Sequence, residues 1–287
     1  MNLALSRRDV LGLGVAGMLS WQSRADTPDD VPVRDGVPRV DYHAHLGGPV
    51  TVDRAVAISK ERGVKFGLLQ HAGLKDNIYA GLVGNDEELD AWIRSLEGKP
   101  VFKGVQAERT DWMRAFSKPT VAKLDYVLSD ALTIPDKSGR WVEIWTPEFH
   151  CDDAQDFMDR YADFHLEVMA KEPIDILANP TFLPESLEPD YDRLWTEKRM
   201  RKVIDAAARH HVAIEINSRY RVPRQPFLEM AQAAGLKFSF GSNSHSADTI
   251  GNIDYGVAMY QKLGLKLDQF FHPAPPGRKP IQVRTLA

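Results

Sequence analysis

Two histidines stand one residue apart near the start of the chain, in the stretch RVDYHAHLGG at residues 39–48. Along an extended strand, residues i and i+2 point to the same side, so His43 and His45 present both imidazoles together. Two imidazoles buried side by side need hydrogen-bond partners or a shared ligand, because an unsatisfied polar group is costly to bury. The pair therefore predicts a metal site, and imidazole with carboxylate suits the divalent ions of zinc, manganese or iron.

Ligand-type side chains also follow the other strands that the sequence predicts. A single histidine at such a position is more often a hydrogen-bonded loop residue than a ligand, so the prediction depends on the whole set. Metal ligands are expected at His43, His45, His71, Glu108, Asp130, Asn179, Asn243 and His245, of which His71, Asp130 and His245 are expected to act in catalysis. Asp130 could instead cap the turn that follows it. Glu215 falls within a predicted strand and needs a cation or hydrogen-bond donors nearby.

These positions belong to an alternating pattern of strands and helices. Strands are predicted at residues 37–42, 64–70, 101–107, 124–129, 174–178, 212–216 and 236–240. Helices are predicted within residues 85–98, 151–173, 193–210, 225–234 and 248–263. No glycine-rich dinucleotide fingerprint follows the first strand, so the pattern favours a closed α/β barrel. The carboxyl ends of the strands then bring the ligand-type side chains to one rim.

The two ends of the chain differ in composition from the rest. Residues 1–25 carry Arg7 and Arg8 before a short apolar run and resemble a twin-arginine export signal, which predicts a periplasmic or secreted protein. An ordinary basic N-terminus is the alternative. The apolar run is too short to cross a bilayer, so no stable membrane span is expected. The further segments are a linker at residues 26–36, the barrel at 37–271 and a proline-rich tail at 272–287, lying along the surface or mobile.

Composition and charge restrict the class of partner. The chain has 36 basic and 40 acidic residues, a net charge of -4 and no basic block, which argues against nucleic acid. A single cysteine, Cys151, excludes a disulfide scaffold. We expect a small-molecule substrate, and Arg219 and Arg221, just after a predicted strand, would bind an anionic one. Solvated loop arginines are the other interpretation of this pair.

Several motifs together resemble the PHP family, named for polymerase and histidinol phosphatase. They are DYHAH at residues 41–45, His71 at a strand end, GVQAE ending in Glu108, IEIN at 214–217 and FGSNSH at 240–245. The match runs in order from about residue 37 to residue 263. The resemblance implies a distorted (β/α)7 TIM-like barrel with up to three divalent ions at its carboxyl-end rim. It also implies hydrolysis of phosphate esters by a metal-bound hydroxide.

The resemblance also allots the ligands. It implies that His43, His45 and Glu108 hold the first ion, that Glu108 bridges to a second, and that His71 and His245 serve the third. The chain departs from the family at the remaining positions. Where the family usually has histidine the chain has Asp130 and Asn179, and where it usually has aspartate in the last motif it has Asn243. Because an amide oxygen is a weaker ligand than carboxylate or imidazole, we expect fewer ions and a weakened phosphatase site.

The leading hypothesis is an exported, metal-dependent hydrolase of phosphoesters. An amidohydrolase-type barrel also begins with HxH after its first strand. That architecture has a bridging lysine or glutamate after the fourth strand and an aspartate after the last, where this chain has Asp130 and Asn243. A third hypothesis, of another class, is a barrel that binds a metal or ligand without turnover. Metal content and a generic phosphatase assay separate the first from the third.

Overall fold

The computed structural model describes residues 31–47, 50–77, 79 and 81–284. The predicted export signal and the first part of the predicted linker lie outside the described residues. Within the described ranges, no helix combines the length and the apolar character that crossing a membrane requires.

Seven parallel strands lie in chain order around a nearly closed barrel. They are β1 (Val40–His45), β2 (Lys65–Leu69), β3 (Phe102–Ala107), β4 (Tyr126–Ser129), β5 (Ile176–Leu177), β6 (Ala213–Asn217) and β7 (Phe238–Gly241). An eighth short strand, His71–Ala72, follows β2 after Gln70 and pairs in parallel with β3. The predicted distorted (β/α)7 TIM-like barrel is confirmed.

The predicted first strand, at residues 37–42, is shifted in the structure. Val37–Pro38 pairs antiparallel with Val33–Arg34, and the barrel strand β1 begins only at Val40. A proline has no backbone N–H to donate to a neighbouring strand, so a break next to Pro38 is expected on physical grounds. The strand instead extends to His45, and both histidines therefore lie within it.

The barrel closes between β7 and β1 by different contacts at its two ends. At the carboxyl end, Ala44 and Ser244 form a parallel bridge, and the His45 amide donates to the Ser244 carbonyl at 2.9 Å. At the amino end, the Phe271 amide donates to the Phe238 carbonyl at 2.7 Å. The Tyr42 hydroxyl donates to the Phe271 carbonyl at 3.3 Å, so this later segment fills the gap that the two strands leave.

Tyr126 fills the barrel interior below the carboxyl-end rim. Its hydroxyl donates to the Tyr42 carbonyl at 2.7 Å, across the barrel from β4 to β1. Glycines on the two intervening strands make room for the ring, because a Cβ on Gly67 or Gly104 would lie 2.3 or 2.5 Å from Tyr126 atoms. The interior is therefore a packed core rather than a channel.

The helices lie around the barrel. Those in the described residues are α1 (Val52–Arg62), α2 (Asp86–Ser95), α3 (Lys118–Val121), α4 (Ala154–Lys171), α5 (Tyr191–Leu194), α6 (Glu197–His210), α7 (Gln225–Ala233), α8 (Asp254–Lys262) and α9 (Pro280–Val283). Short 3-10 turns occur at Trp112–Ala115, Glu188–Asp190 and Leu267–Gln269. The pattern predicts no helix where α1 lies, because α1 buries only Ala55 and Ile58 and has a weak apolar stripe.

Two predicted helices begin later than the sequence indicates. The one predicted at residues 193–210 starts at Glu197, because the Thr196 hydroxyl accepts from the Arg199 amide and caps the helix there. The one predicted at residues 248–263 starts at Asp254. Beside the rim, Thr133–Pro135 and Trp141–Glu143 pair as an antiparallel hairpin.

The described part of the proline-rich tail, residues 272–284, packs across the amino end of the barrel. Lys279 is 8% exposed, and its ammonium donates to the Leu124 carbonyl and, at 2.9 Å, to the Ala122 carbonyl. Arg284 donates to the Glu172 carbonyl at 2.8 Å, at the end of α4. Basic side chains at these carbonyls cap helix C-termini. The tail thus covers the end of the barrel opposite the predicted site.

Candidate metal centre

Three histidines from separate segments of the chain converge at the carboxyl-end rim. His45 comes from the end of β1, His71 from the short strand after β2, and His245 from the loop after β7. One nitrogen from each ring lies within 4.8 Å of the others, and the group could hold a metal ion. We call these residues the three-histidine cluster. His45 is 2% exposed, so its ring lies on the protein side of the cluster.

The rings of the three-histidine cluster are stacked nearly parallel. The centroid of the His45 ring lies 4.6 Å from that of His71, with 14° between the planes, and 4.4 Å from that of His245, with 5°. Tyr79 stacks on the His71 ring at 4.0 Å. Imidazolium rings would repel one another in this arrangement, so the stack favours neutral imidazoles, which is the form that binds metal.

Burial acts on the protonation of these rings in the same direction. Burial, followed by the charges of His71, His43 and His245, holds the pKa of His45 well below its ordinary value. Burial, followed by the charge of His71, lowers the pKa of His245 to about 4. Both rings are therefore neutral near pH 7.

The hydrogen bonds leave nitrogens available in the cluster. The Nδ1 of His71 lies 2.6 Å from Oε1 of Glu108, an arrangement in which a carboxylate fixes the tautomer of a metal-binding histidine. The buried Nε2 of His45 has no hydrogen-bond partner in the described part of the chain. His165, on α4, also has such an Nε2, but no other histidine converges on it. The convergence of three rings, together with the free nitrogen, makes this group fit a divalent ion.

His43 lies next to the three-histidine cluster but has other partners. Its Nδ1 lies 2.7 Å from Oε1 of Glu215, and its Nε2 lies 3.1 Å from Oε1 of Gln106. Burial alone would lower the pKa of His43, but the charge and hydrogen bond of Glu215 outweigh it and raise the pKa. Both ring nitrogens of His43 are thus engaged in hydrogen bonds within the protein.

Glu215 lies in the barrel interior and is satisfied by donors. Besides His43, its Oε2 accepts from the Asn179 amide at 2.8 Å and from Nδ2 of Asn217 at 3.1 Å. The position also requires a glycine on β7, because a Cβ on Gly241 would lie 1.8 Å from Oε1 of Glu215. The need for a cation or donors that the sequence indicates for Glu215 is thus met by three donors.

Asp130 belongs to the same set of hydrogen bonds. Its Oδ2 accepts from Nδ2 of Asn179 at 3.0 Å and from Nε2 of Gln106 at 3.4 Å, while Oδ1 accepts from the Leu132 amide at 3.0 Å. Burial, followed by the charge of Glu108, raises its pKa to about 6. The bond to Leu132 is the turn-capping contact that the sequence leaves open for this residue. We call the connected residues the buried polar network: His43, Gln106, Asp130, Asn179, Glu215, Asn217 and Asn243.

Two asparagines of the buried polar network have left-handed backbone conformations. Asn179 has φ 47° and Asn243 has φ 46°. Asparagine tolerates this region better than most residues with a Cβ. Oδ1 of Asn179 accepts from Nδ2 of Asn217 at 2.8 Å and from Nδ2 of Asn243 at 3.4 Å. The three residues at which the chain departs from the family that it resembles, Asp130, Asn179 and Asn243, are thus linked by hydrogen bonds through Asn179.

The two arginines predicted to bind substrate lie at the rim and are exposed. Arg219 donates to the Asn243 carbonyl at 3.2 Å, which places it beside the loop that carries His245. The guanidinium of Arg221 lies over the Tyr255 ring, 5.0 Å from its centroid. Neither arginine forms an ion pair with a carboxylate of the described residues.

The structure groups the predicted residues differently from the resemblance. It brings His45 together with His71 and His245, attaches Glu108 to His71, and places the other four predicted ligands in the buried polar network. Sequence reasoning does not identify Gln106 or Tyr79. A signal exists for Gln106, which stands two residues before Glu108 and so points to the same side of β3. Tyr79 lies in a loop, where the sequence has no comparable signal.

Comparisons with known proteins bear on the fold. No protein-family model and no curated protein sequence matches the chain. The histidinol phosphate phosphatase from Lactococcus lactis, solved with zinc, L-histidinol and phosphate, has a TM-score of 0.55 at 15% identity, over 86% of this chain and 99% of that one. This chain is therefore similar in fold to that phosphatase.

Two further solved structures are less similar. The HpcH/HpaI aldolase from Desulfitobacterium hafniense has a TM-score of 0.34 at 11% identity, over 72% of this chain and 86% of that one. Phospho-2-dehydro-3-deoxyheptonate aldolase from Thermotoga maritima has a TM-score of 0.28 at 13% identity, over 82% of this chain and 73% of that one. Neither similarity is high enough to inform the reaction.

Proposed function

We propose that the chain is a metal-dependent hydrolase of small-molecule phosphoesters, with a divalent ion held by His45, His71 and His245. The observation that carries the proposal is the convergence of three imidazoles, one of which, His45, has a buried Nε2 without a hydrogen-bond partner in the described residues. The similarity in fold to a zinc-containing phosphatase supports the reaction class. Zinc, manganese and iron all suit imidazole ligands.

The residues of the chain prepare the site for this reaction. Glu108 holds His71 through Nδ1, which leaves Nε2 of that ring to face the ion. Arg219 lies beside the loop of His245 and would attract an anionic substrate group. A divalent ion, when bound, supplies a Lewis acid and lowers the pKa of its water toward neutrality.

The sequence leads us to expect His71, Asp130 and His245 both as metal ligands and in catalysis. In the proposed site His71 and His245 act as metal ligands, and Asp130 is the candidate general acid or base. Asp130 connects through Gln106 to His43 and accepts from Asn179, so its carboxyl group is held in one orientation. Replacement by asparagine keeps the size of the side chain and removes its ability to exchange a proton.

We also propose one ion per chain in place of the three that the resemblance allows. A second ion would need His43, Asp130 or the asparagines, and the side chains of all these residues are engaged in the buried polar network. Displacing those bonds would leave buried donors and acceptors unpaired, which costs about 1–3 kcal/mol for each group.

The test is metal-dependent turnover of a generic phosphoester by the purified chain. Dialysis against a chelator should abolish turnover, and zinc, manganese or iron should restore it. The His165→Ala variant removes a buried histidine outside the cluster and should respond to metal as the wild type does. Metal binding without turnover would favour the non-catalytic hypothesis. Turnover of amide substrates in place of phosphoesters would favour the amidohydrolase type.

The export of the chain is a separate proposal, supported by the sequence of residues 1–25. Changing Arg7 and Arg8 to lysine should hold the precursor in the cytoplasm, since a twin-arginine signal depends on the paired arginines. Unchanged appearance of processed protein outside the inner membrane would contradict it.

A further inference from the structure

A concave region opens on the rim that carries the three-histidine cluster. It is a cavity of about 420 Å³ between the loops after β5 and β6 and helix α8, within the size range of small-molecule sites. We call it the aromatic pocket and define it by Phe182, Tyr191, Tyr220, Arg221, Arg224 and Tyr255. Four aromatic rings in its walls suit a flat, largely apolar group.

The two arginines of the aromatic pocket differ in whether they form ion pairs. Arg224 pairs with Glu188 at 2.5 Å and with Asp192 at 3.3 Å, and its guanidinium lies 3.9 Å from the centroid of the Tyr191 ring. Arg221, across the pocket at Tyr255, pairs with no carboxylate of the described residues. The pocket therefore presents one uncompensated positive charge among aromatic rings.

The loop that carries Arg221 is held in a fixed shape. Asn217 and Val222 close it by two backbone hydrogen bonds of 2.7 and 3.2 Å, and the Tyr220 amide donates to Oδ1 of Asn217 at 2.9 Å. Within this loop Arg221 has φ 55°, a left-handed conformation that is strained for a residue with a long side chain. Strain of this kind persists only where the surroundings impose it, and here it directs Arg221 to the pocket.

The same loop reaches the candidate metal centre. Arg219 donates to the Asn243 carbonyl, two residues before His245, whereas Arg221 lines the aromatic pocket. Tyr220 stands between the two arginines, and its ring packs against Phe182 at 4.7 Å. One loop thus presents a cation to each of two neighbouring regions.

We propose that the aromatic pocket binds the non-reacting part of the substrate, and that Arg221 selects phosphoesters whose alcohol part is a flat ring carrying a carboxylate. The reaction in this inference rests on the proposed function, while binding in the pocket is a separate property of the chain. A carboxylate accepts two parallel hydrogen bonds from a guanidinium, and the aromatic rings of the pocket would contact the flat ring that carries it.

The inference can be tested by comparing the turnover of two esters, phenyl phosphate and 4-carboxyphenyl phosphate. They differ only in the carboxylate. The wild type should prefer the carboxylated ester by about tenfold in kcat/KM, expressed mainly in KM, because a charge-assisted hydrogen bond is lost with the plain ester. In Arg221→Gln this preference should fall to near one, and Arg221→Lys should retain part of it. Arg201→Gln, an exposed arginine on α6, should keep the wild-type preference. An equal preference in wild type and Arg221→Gln would overturn the inference.

Binding to chelator-treated protein separates the inference from the proposed function. Calorimetric titration with the same two esters should show tighter binding of the carboxylated one to the wild type, and a smaller difference in Arg221→Gln. If neither the wild type nor any variant turns over either ester, the proposed function fails. The ratio of the calorimetric affinities for the two esters then tests by itself whether the aromatic pocket binds the carboxylate. Equal affinities for the two esters in the wild type would then refute the selection by Arg221.

Discussion

The three-histidine cluster and the buried polar network lie side by side at the same rim, but their polar atoms are satisfied in different ways. In the network, His43 and Asn179 are bonded to Glu215, and Asn179 is bonded to Asp130. In the cluster, the buried Nε2 of His45 has no partner in the described part of the chain. Groups that satisfy one another stabilise a fold, whereas groups that converge without partners are arranged for a ligand. A residue of a metal-binding type that lies at the carboxyl-end rim is therefore not necessarily a metal ligand.

Replacement of Glu215 tests whether the buried polar network stabilises the fold. Glu215→Ala removes the acceptor of three buried donors and leaves Nδ1 of His43 without its partner. We expect the free energy of unfolding to fall by about 3–5 kcal/mol, as when one partner of a buried pair is removed. Urea denaturation of metal-free protein measures it, and Glu185→Ala, an exposed glutamate in the loop after β5, should change stability by less than about 0.5 kcal/mol. A loss of under about 1 kcal/mol for Glu215→Ala would show that the network does not stabilise the fold.

Replacement of Glu108 tests whether the three-histidine cluster binds metal. Glu108→Gln keeps the shape of the side chain that bonds to Nδ1 of His71 but removes its charge. Loss of such a carboxylate typically weakens metal affinity by about 10–100-fold, which competition with a fluorescent zinc chelator can measure. Glu97→Gln, an exposed glutamate after α2, is the matched control and should not alter zinc affinity. Wild-type affinity in Glu108→Gln would mean that His71 is not a ligand.

The sequence predicts that these residues lie at one rim of the barrel. It does not predict which of them form the three-histidine cluster and which form the buried polar network. Apolar runs reveal where strands lie, and the run at residues 236–240 corresponds to β7 at Phe238–Gly241. All eight predicted ligands are therefore found near the carboxyl ends of strands. The division depends on contacts that the local pattern does not show. Glu215 and Gln106 reach His43 from 172 and 63 residues away in the chain, so only the folded barrel shows that both ring nitrogens of His43 are occupied.

Asp175 lies outside both regions and is a buried carboxyl group with fewer hydrogen-bond donors than Glu215. Asp175, at the amino end of β5, accepts from the Val127 amide at 2.8 Å, and burial raises its pKa from 3.8 to about 7. Between these two pKa values the unfolded chain has lost the proton while the folded chain retains it, so stability falls as the pH rises. From about pH 4 to pH 7 the wild type should lose about 3 kcal/mol relative to Asp175→Asn.

Urea denaturation across this pH range measures the difference between wild type and Asp175→Asn. Asp205→Asn, an exposed aspartate on α6, should show a constant difference from the wild type over the same range. A constant difference for Asp175→Asn as well would mean that burial without many donors imposes no cost at this position.

The smallest effect concerns the backbone of the network. Asn179 has φ 47°, so removing its side chain has a different consequence in alanine and in glycine. Both variants lose the bonds to Asp130 and Asn217, but only alanine retains a Cβ in a left-handed conformation. We expect Asn179→Ala to be less stable than Asn179→Gly by about 1 kcal/mol in urea denaturation. Equal stabilities would contradict the left-handed conformation at this residue.

The metal contents of purified His45→Ala and His165→Ala, compared with each other, test directly whether the three-histidine cluster binds a metal ion. Both variants remove a buried histidine with an unpartnered Nε2, but only His45 belongs to the three-histidine cluster. After loading with zinc and desalting, elemental analysis should find about one ion per chain in the wild type and in His165→Ala, and less than about a tenth of an ion in His45→Ala. One ion per chain in His45→Ala, or none in the wild type, would show that the cluster is not a metal centre.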